Sequence, residues 1–479
     1  MAEYLRPGVF VEDNAAMPSI AGVSTSTGGF VGLTQRGKVN EAVFCGSWDD
    51  YLRNFSQGMD SPFIASSDLA YSVYGFFQNG GRRCYVVRQA VSAKKAEASS
   101  LFIAKDEGVW GNRLEVTVSE NDDTTVALPQ FDIHIKLGTE VVEVFSGVTD
   151  VENTADYWAD AIERSSFVSS VLPGKLDDLG VTTGSPVVVS FTGGLDGTTV
   201  TDADFVSALK AFDVIDDVNL ISIPGQTTAA VINGVLAYAE ARTDVFALID
   251  APKASTVSSL RDLRRTITCK NGALYTPWIR VTDPLSLTGR LRTVPSAGHV
   301  MGVYARIINS RGIWKAPAGT EANILGALEV VTIFNNDDLN VLNPAGINAI
   351  VPKKNYGIVV WGARSLHPDS RMKYVSTVLL DIFIKKSIYE GTQQFVFEPN
   401  GERTWGKLTT VVEAFLNGIW RSGGLKGATA AEAYRVRCDA DVNPPESIDE
   451  GKLICEVSYA PLKPAEFVIF RFSHTLSQA

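Results

Sequence analysis

Asp250 is the residue whose position most invites chemistry. It ends the apolar run Val245-Phe246-Ala247-Leu248-Ile249, and the C-terminal end of a parallel strand is where open α/β folds keep functional groups. A hydrolytic triad also needs a serine nucleophile and a positioned histidine. The histidines are His134, His299, His367 and His474, there is no G-x-S-x-G elbow, and no histidine opens a helix after Asp250. Asp250 before Ala251-Pro252 therefore reads as a strand-end turn residue, and no catalytic residue is assigned.

Other chemistries fare similarly. The phosphate-cradling G-x-x-x-x-G-K-[ST] pattern is absent. Phe191-Thr192-Gly193-Gly194-Leu195-Asp196-Gly197 is glycine-rich but lacks the lysine, and reads as a turn bordering an insertion. Pro224-Gly225-Gln226 stands where a dinucleotide fingerprint would follow the Val218–Ile223 strand. His299 and His367 have no second ligand at helical spacing. The pairs Asp49-Asp50 and Asp216-Asp217 read as caps and solvated faces. Neither a cofactor nor a metal is expected. The five cysteines are scattered without C-x-x-C; Cys438 and Cys455 lie on two strand-like runs and read as reduced neighbours.

A net charge of −11 and a pI near 5.1 argue against nucleic-acid contact. Apolar runs such as Val378-Leu379-Leu380 are far too short to span a bilayer, and the opening residues carry no apolar signal region. No membrane insertion and no signal peptide are expected.

At 479 residues the chain needs several cores. Patterning gives a mixed α/β and α+β multidomain protein. Residues 1–20 form an N-terminal arm, and 21–91 with 201–350 an α/β middle domain holding one βαβ unit (Val218–Ile223, Thr228–Arg242, Val245–Asp250). Residues 92–200 form a β-rich inserted outer domain, where Leu114–Val118 and Phe131–Ile135 alternate with period two. Residues 351–462 form a C-terminal α+β assembly domain, with helices over Asp369–Glu390 and Trp405–Arg421. Residues 463–479 form a C-terminal arm.

Both arms are unusual for chain ends, which are normally polar and frayed. Val9, Phe10 and Val11 at one end, and Phe467, Val468, Ile469 and Phe470 at the other, are β-formers without a local hairpin partner. They read as strands for another molecule's sheet, with Pro18, Pro461 and Pro464 in the joints.

Several phrases together carry a resemblance. They are Tyr4–Glu12, Gly111-Asn112-Arg113-Leu114, Phe191–Gly197, Tyr275-Thr276-Pro277-Trp278-Ile279 and Gly302-Val303-Tyr304-Ala305-Arg306, followed by Gly312–Ala318, Leu342–Asn348, Val360–Ser365, Phe397-Glu398-Pro399-Asn400 and Pro464–Phe467. In this order they resemble the tail sheath proteins of contractile-tailed bacteriophages and related injection machines. The sequence departs from that pattern at Ile307-Ile308-Asn309 and at Gly319. The resemblance implies a structural protein of the virion tail, assembled in the host bacterial cytoplasm. It implies hexameric rings stacked in a helical array around a tail tube, with baseplate and tail terminator proteins as further partners. It implies arms that add strands to neighbouring subunits, and a subtilisin-like middle domain without a triad. Lys385, Lys386, Lys407, Arg421 and Lys426 are the candidate tube contacts. A phage-derived bacteriocin sheath is the first alternative and a subtilisin-like hydrolase the second. A fluorophosphonate probe discriminates the last: no serine should be labelled, and labelling would restore the hydrolase reading.

Overall fold

Strands apolar on both faces need a covering layer on each side, and the larger of two compact units, residues 24–378, is built that way. The computed structural model describes residues 19–56, 61–121 and 128–471. The unit opens with β1 (Gly28–Gly32), β2 (Ala42–Cys45), helices α1 (Trp48–Phe55) and α2 (Leu69–Gln78), and β3 (Cys84–Arg88). An excursion then carries β4 (Glu97–Ala98), β5 (Phe102–Ala104), β6 (Leu114–Asn121), β7 (Gln130–Leu137), β8 (Glu140–Val148), α3 (Trp158–Glu163), β9 (Val168–Ser170) and β10 (Val187–Ser190). The chain resumes through α4 (Asp202–Ala208), β11 (Leu220–Ser222), α5 (Ala229–Arg242), β12 (Phe246–Asp250), α6 (Val257–Thr266) and β13 (Gly272–Thr276). There follow β14 (Ile279–Thr282), β15 (Leu291–Val294), α7 (Ala297–Arg311), β16 (Ala327–Val330), α8 (Asn336–Leu342), β17 (Ile347–Lys353) and β18 (Gly357–Val360).

Eight of these strands form one sheet in the order β18-β17-β13-β12-β11-β1-β3-β2. Its interior pairs are parallel, and β18 and β2 close the two edges antiparallel. The βαβ unit read from sequence is β11–α5–β12, and the Thr228 hydroxyl accepts from Val231 N to start its helix. One face packs Val31, Ile221, Ala247, Ile249 and Leu274 beneath α4, α5 and α6. On the other, Phe30 meets Phe76 of α2 edge-on, and Phe246 lies against Tyr304 of α7. Strand Gly357–Val360 thus belongs to this sheet, and the division between units falls after Val378 instead of after residue 350. The helix expected over Asp369–Glu390 is broken. A 3₁₀ turn spans Ser370–Met372, and Arg364 bridges Tyr374 before α9 (Val375–Gly391) begins. That bridge holds residue 374 extended, so the helix starts one residue later.

The excursion leaves and returns on a two-stranded stem, through bridges Val91–Thr198, Lys94–Leu195 and Glu97–Thr192. The glycine-rich phrase is the returning strand. Asn112 clasps it, donating from Nδ2 to Gly194 O (2.9 Å) and accepting from Gly194 N (2.8 Å), while Asp196 accepts from Val109 N. A Cβ at Gly197 would lie 2.0 Å from Val91 O, so only glycine fits the stem. Beyond it, β10-β6-β7-β8 form a sheet over a separate core containing Trp110, Trp158 and Phe131. Two buried guanidiniums tie this domain down. Arg88 donates to Gly37 O and Glu107 O, both at 2.8 Å. Arg36 donates to Arg53 O and Ser166 O and stacks over Phe167.

Helices α2 and α7 approach each other closely. A Cβ on Gly298 would stand 2.5 Å from Ser72 Cβ, and one on Gly302 2.4 Å from Phe76 O. Reciprocally, a Cβ on Gly75 would enter the His299 ring at 2.3 Å. Gly302→Ala should therefore destabilise the larger unit by about 1–3 kcal/mol through overpacking. Chemical unfolding checks this, and an unchanged midpoint would mean that the helices have room to separate.

Candidate assembly surface

The acid singled out from sequence is buried, and its environment settles what it can do. Asp250 Oδ1 accepts from Ala297 N (2.8 Å) and Ser296 Oγ (3.1 Å), so the carboxyl caps the first turn of α7. Burial pushes its pKa up to about 7 against the hydrogen bonds that would lower it. His299, one turn along the same helix, is also buried and pushed down to about 4. An aspartate, a serine and a histidine thus gather around one helix start in the wrong order for nucleophilic catalysis. The serine donates to the aspartate, where a triad has histidine between them, and all three lie below the surface. Asp50 caps Gly46 N and pairs with Arg53, and Asp217 pairs with Arg83. Among the described residues no cluster of three or more His, Cys, Asp or Glu has a metal-ligand arrangement. No helix among them is long and apolar enough to cross a membrane.

The smaller unit comprises residues 1–23 and 379–479, of which 19–23 and 379–471 are described. Most of α9 lies in it, followed by α10 (Glu402–Arg421), α11 (Ala430–Ala433), β19 (Tyr434–Arg437), α12 (Pro445–Asp449) and β20 (Glu456–Tyr459). On α10 the stripe Trp405, Leu408, Val412 and Ile419 is buried, as its spacing predicts, with Thr404, Val411 and Leu416 added and Phe415 half-buried. Trp405 Nε1 donates to Asn400 Oδ1 (2.8 Å), and Asn400 reaches on to Lys452 O. Strands β19 and β20 pair antiparallel from Tyr434–Tyr459 to Arg437–Glu456. Residues 19–23, assigned to the arm and middle domain from sequence, run along α9 instead. Val23 N donates to Ser387 Oγ (3.2 Å), and Ile20 and Gly22 lie so close to Gly391 and Phe383 that added Cβ atoms would clash.

The sequence-derived site residues divide three ways. Val9, Phe10, Val11 and Pro18 lie outside the described residues. Phe467, Val468, Ile469 and Phe470 are 70–77 % exposed and have no regular secondary structure within this chain. Pro461 is bridged to Leu425 and Leu462 N donates to Gly424 O, so both are tied to the body of the unit, whereas Pro464 lies outside regular secondary structure. Of the cations, Lys407, Arg421 and Lys426 are exposed and Lys385 pairs with Asp381 at 2.7 Å. Lys386 is 9 % exposed: it falls on the inward side of α9 and is not a surface cation. Sequence reading missed a groove of about 620 Å³, lined by Ile388, Phe395, Val396, Leu408, Leu453 and Val457. Fully exposed Phe397 at its edge has φ of +66°. The apolar run Phe395-Val396-Phe397 was its only signal.

The fold is that of the sheath subunits of contractile injection machines. A PVC sheath complex in its contracted state matches over 99 % of this chain and 98 % of its own, with TM-score 0.63 and 22 % identity. The sheath tail protein Lin1278 of Listeria innocua matches over 93 % and 96 %, with TM-score 0.64 and 13 % identity. Residues 198–366 match the phage tail sheath central domain and residues 367–475 the phage tail sheath C-terminal domain. The chain belongs to the phage tail sheath family. Among relatives, a protein of Pseudomonas aeruginosa described as a prophage major tail sheath protein is 24 % identical over 53 % of this chain. The tail sheath protein of Vibrio phage KVP40 is 27 % identical over 40 %. The matched segments span 64 % and 28 % of those relatives' own lengths.

Asp250 leaves a pH signature. Its folded value of about 7 lies above the ordinary 3.8, so the folded chain keeps a proton that the unfolded chain releases. This contribution to stability is full below the ordinary value, falls as pH rises from 4 to 7, and is constant above. Asp250→Asn stays neutral and keeps an acceptor. Its stability relative to the native chain should therefore rise by about 3–5 kcal/mol between pH 4 and pH 8. Parallel stability curves in urea would mean that the carboxyl is not held protonated.

Proposed function

We propose that this chain builds a contractile sheath: hexameric rings stacked around a tail tube, joined by strand exchange, and shortening to drive the tube through a host cell envelope. The observation that carries the reading is the run Phe467–Phe470, four consecutive apolar side chains exposed in the segment that follows a two-stranded sheet. Such a sheet has an outer edge on each strand, and strand addition satisfies both the edge and the incoming segment. Each added hydrogen bond contributes only about 1 kcal/mol net, so the apolar side chains must supply much of the hold. The arm residues Val9, Phe10 and Val11 would act in the same way from the other end.

Contraction needs no nucleotide in this scheme. An extended array held behind a kinetic barrier would relax to more buried contacts as rigid bodies turn about the arms. The middle body would be subtilisin-like in topology, with Asp250 retained as a helix cap. Lys385, Lys407, Arg421 and Lys426 would offer the tube a weak, screened contact that can let go. Baseplate and terminator proteins would hold the ends, and the particle would be assembled in the host cytoplasm. A phage-like injection machine would use the same subunit physics. The related solved structures include a baseplate and a contracted helical sheath of the anti-feeding prophage, which supports either setting.

Deleting residues 1–16, or ending the chain after Pro464, should leave a folded, soluble subunit that builds no tubes in negative-stain electron microscopy, alone or co-expressed with its tube protein. Normal tubes from either truncation would overturn strand exchange.

A further inference from the structure

Four of the five cysteines lie in two opposed pairs. Cys45 and Cys84 are register partners in β2 and β3, both fully buried. The second pair stands at the end of the β19–β20 ladder. Arg437 opposes Glu456, so the next positions, Cys438 and Cys455, face each other, and each thiol is a neighbour that influences the other. Directly opposed residues of an antiparallel pair have Cα atoms roughly 4.5–5.5 Å apart, inside the range that a disulfide spans.

The surroundings fix this pair and expose one side of it. Asn443, 1 % exposed, donates to Ile454 O (2.9 Å) and accepts from Ile454 N (2.6 Å), holding the intervening loop beside Cys438. Cys455 is half-buried and lines the open groove, so a small reagent can reach it. Burial raises both thiols, Cys455 to about 12, so the resting state is a dithiol and not a thiolate.

We propose that Cys438 and Cys455 form an oxidisable clamp, closed by a low-molecular-weight disulfide into an intrachain disulfide across the β19–β20 sheet. One thiol, losing its proton, attacks the reagent's sulfur and expels one thiol. The second cysteine then attacks the mixed disulfide and expels the other. Two protein thiols and one small disulfide become one protein disulfide and two small thiols.

The consequence is mechanical and rests on the strand-exchange reading. The C-terminal arm leaves from the Tyr459 end of β20, whereas the cysteines sit at the opposite end. Tension on the arm peels β20 from β19 towards Cys455, and a covalent bond there stops the peeling. A particle passing from a reducing to an oxidising medium would acquire the bond after assembly.

The test uses the full-length chain with excess oxidised glutathione, a reference dithiol peptide in the same tube, then denaturation, alkylation and tryptic mapping. The expected result is a joined pair of peptides beginning at Cys438 and Leu453, two hydrogen masses below their sum, with Cys45 and Cys84 alkylated. Cys438→Ser should lose the link and leave Cys455 carrying glutathione. Separate, fully alkylated peptides beside an oxidised reference would overturn the proposal. So would bonds between chains, or equal oxidation of Cys45–Cys84. The bond is read within one chain, so its absence refutes the clamp alone, whereas the truncations test strand exchange.

Discussion

The larger unit depends on how closely α2 and α7 approach. Gly75, Gly298 and Gly302 remove the side chains that would hold them apart, and the backbone of one helix rests on the other. With the helices this close, Phe76 and Tyr304 both reach the sheet, and Asp250 can cap α7 from the end of β12. Interdigitated contacts of this kind deform little and transmit displacement. In the proposed function, where rigid bodies turn about the arms, that stiffness would matter more than a catalytic pocket.

A second device recurs through the molecule. Asparagine side chains clasp backbone that is distant in sequence, each using its amide as both donor and acceptor. Asn112 holds Gly194, Asn348 holds Arg364 through two bonds of 2.7 Å, and Asn443 holds Ile454. Several separate phrases that carried the family resemblance are therefore in contact. Gly111–Leu114 meets Phe191–Gly197, and Leu342–Asn348 meets Val360–Ser365. Buried irregular backbone must find hydrogen-bond partners, and a side-chain amide has separate donor and acceptor atoms that serve C=O and N–H together.

Much of this was legible from residue pattern. The α10 stripe, the alternation in β6 and β7, and the apolar β11 and β12 follow from periodicity, because burial on one face or two imposes it. What was hidden depends on long-range contact. Nothing local shows that Gly357–Val360 completes the main sheet, that Arg364–Tyr374 delays α9, or that Lys386 turns inward. The run Phe467–Phe470 stands out by composition alone, and its side chains are exposed. The groove was not legible, because its walls come from α9, α10 and the segment after Gly451.

The placement of residues 19–23 against α9 carries a consequence for biosynthesis. This segment is made before the larger unit, yet its packing partners around Phe383, Ser387 and Gly391 are made only after it. At translation rates of roughly 5–20 residues per second, it waits on the order of tens of seconds for a surface to rest on. The packing of residues 19–23 is thus completed only after α9 is made. A product that stops before α9 has no partner for this segment.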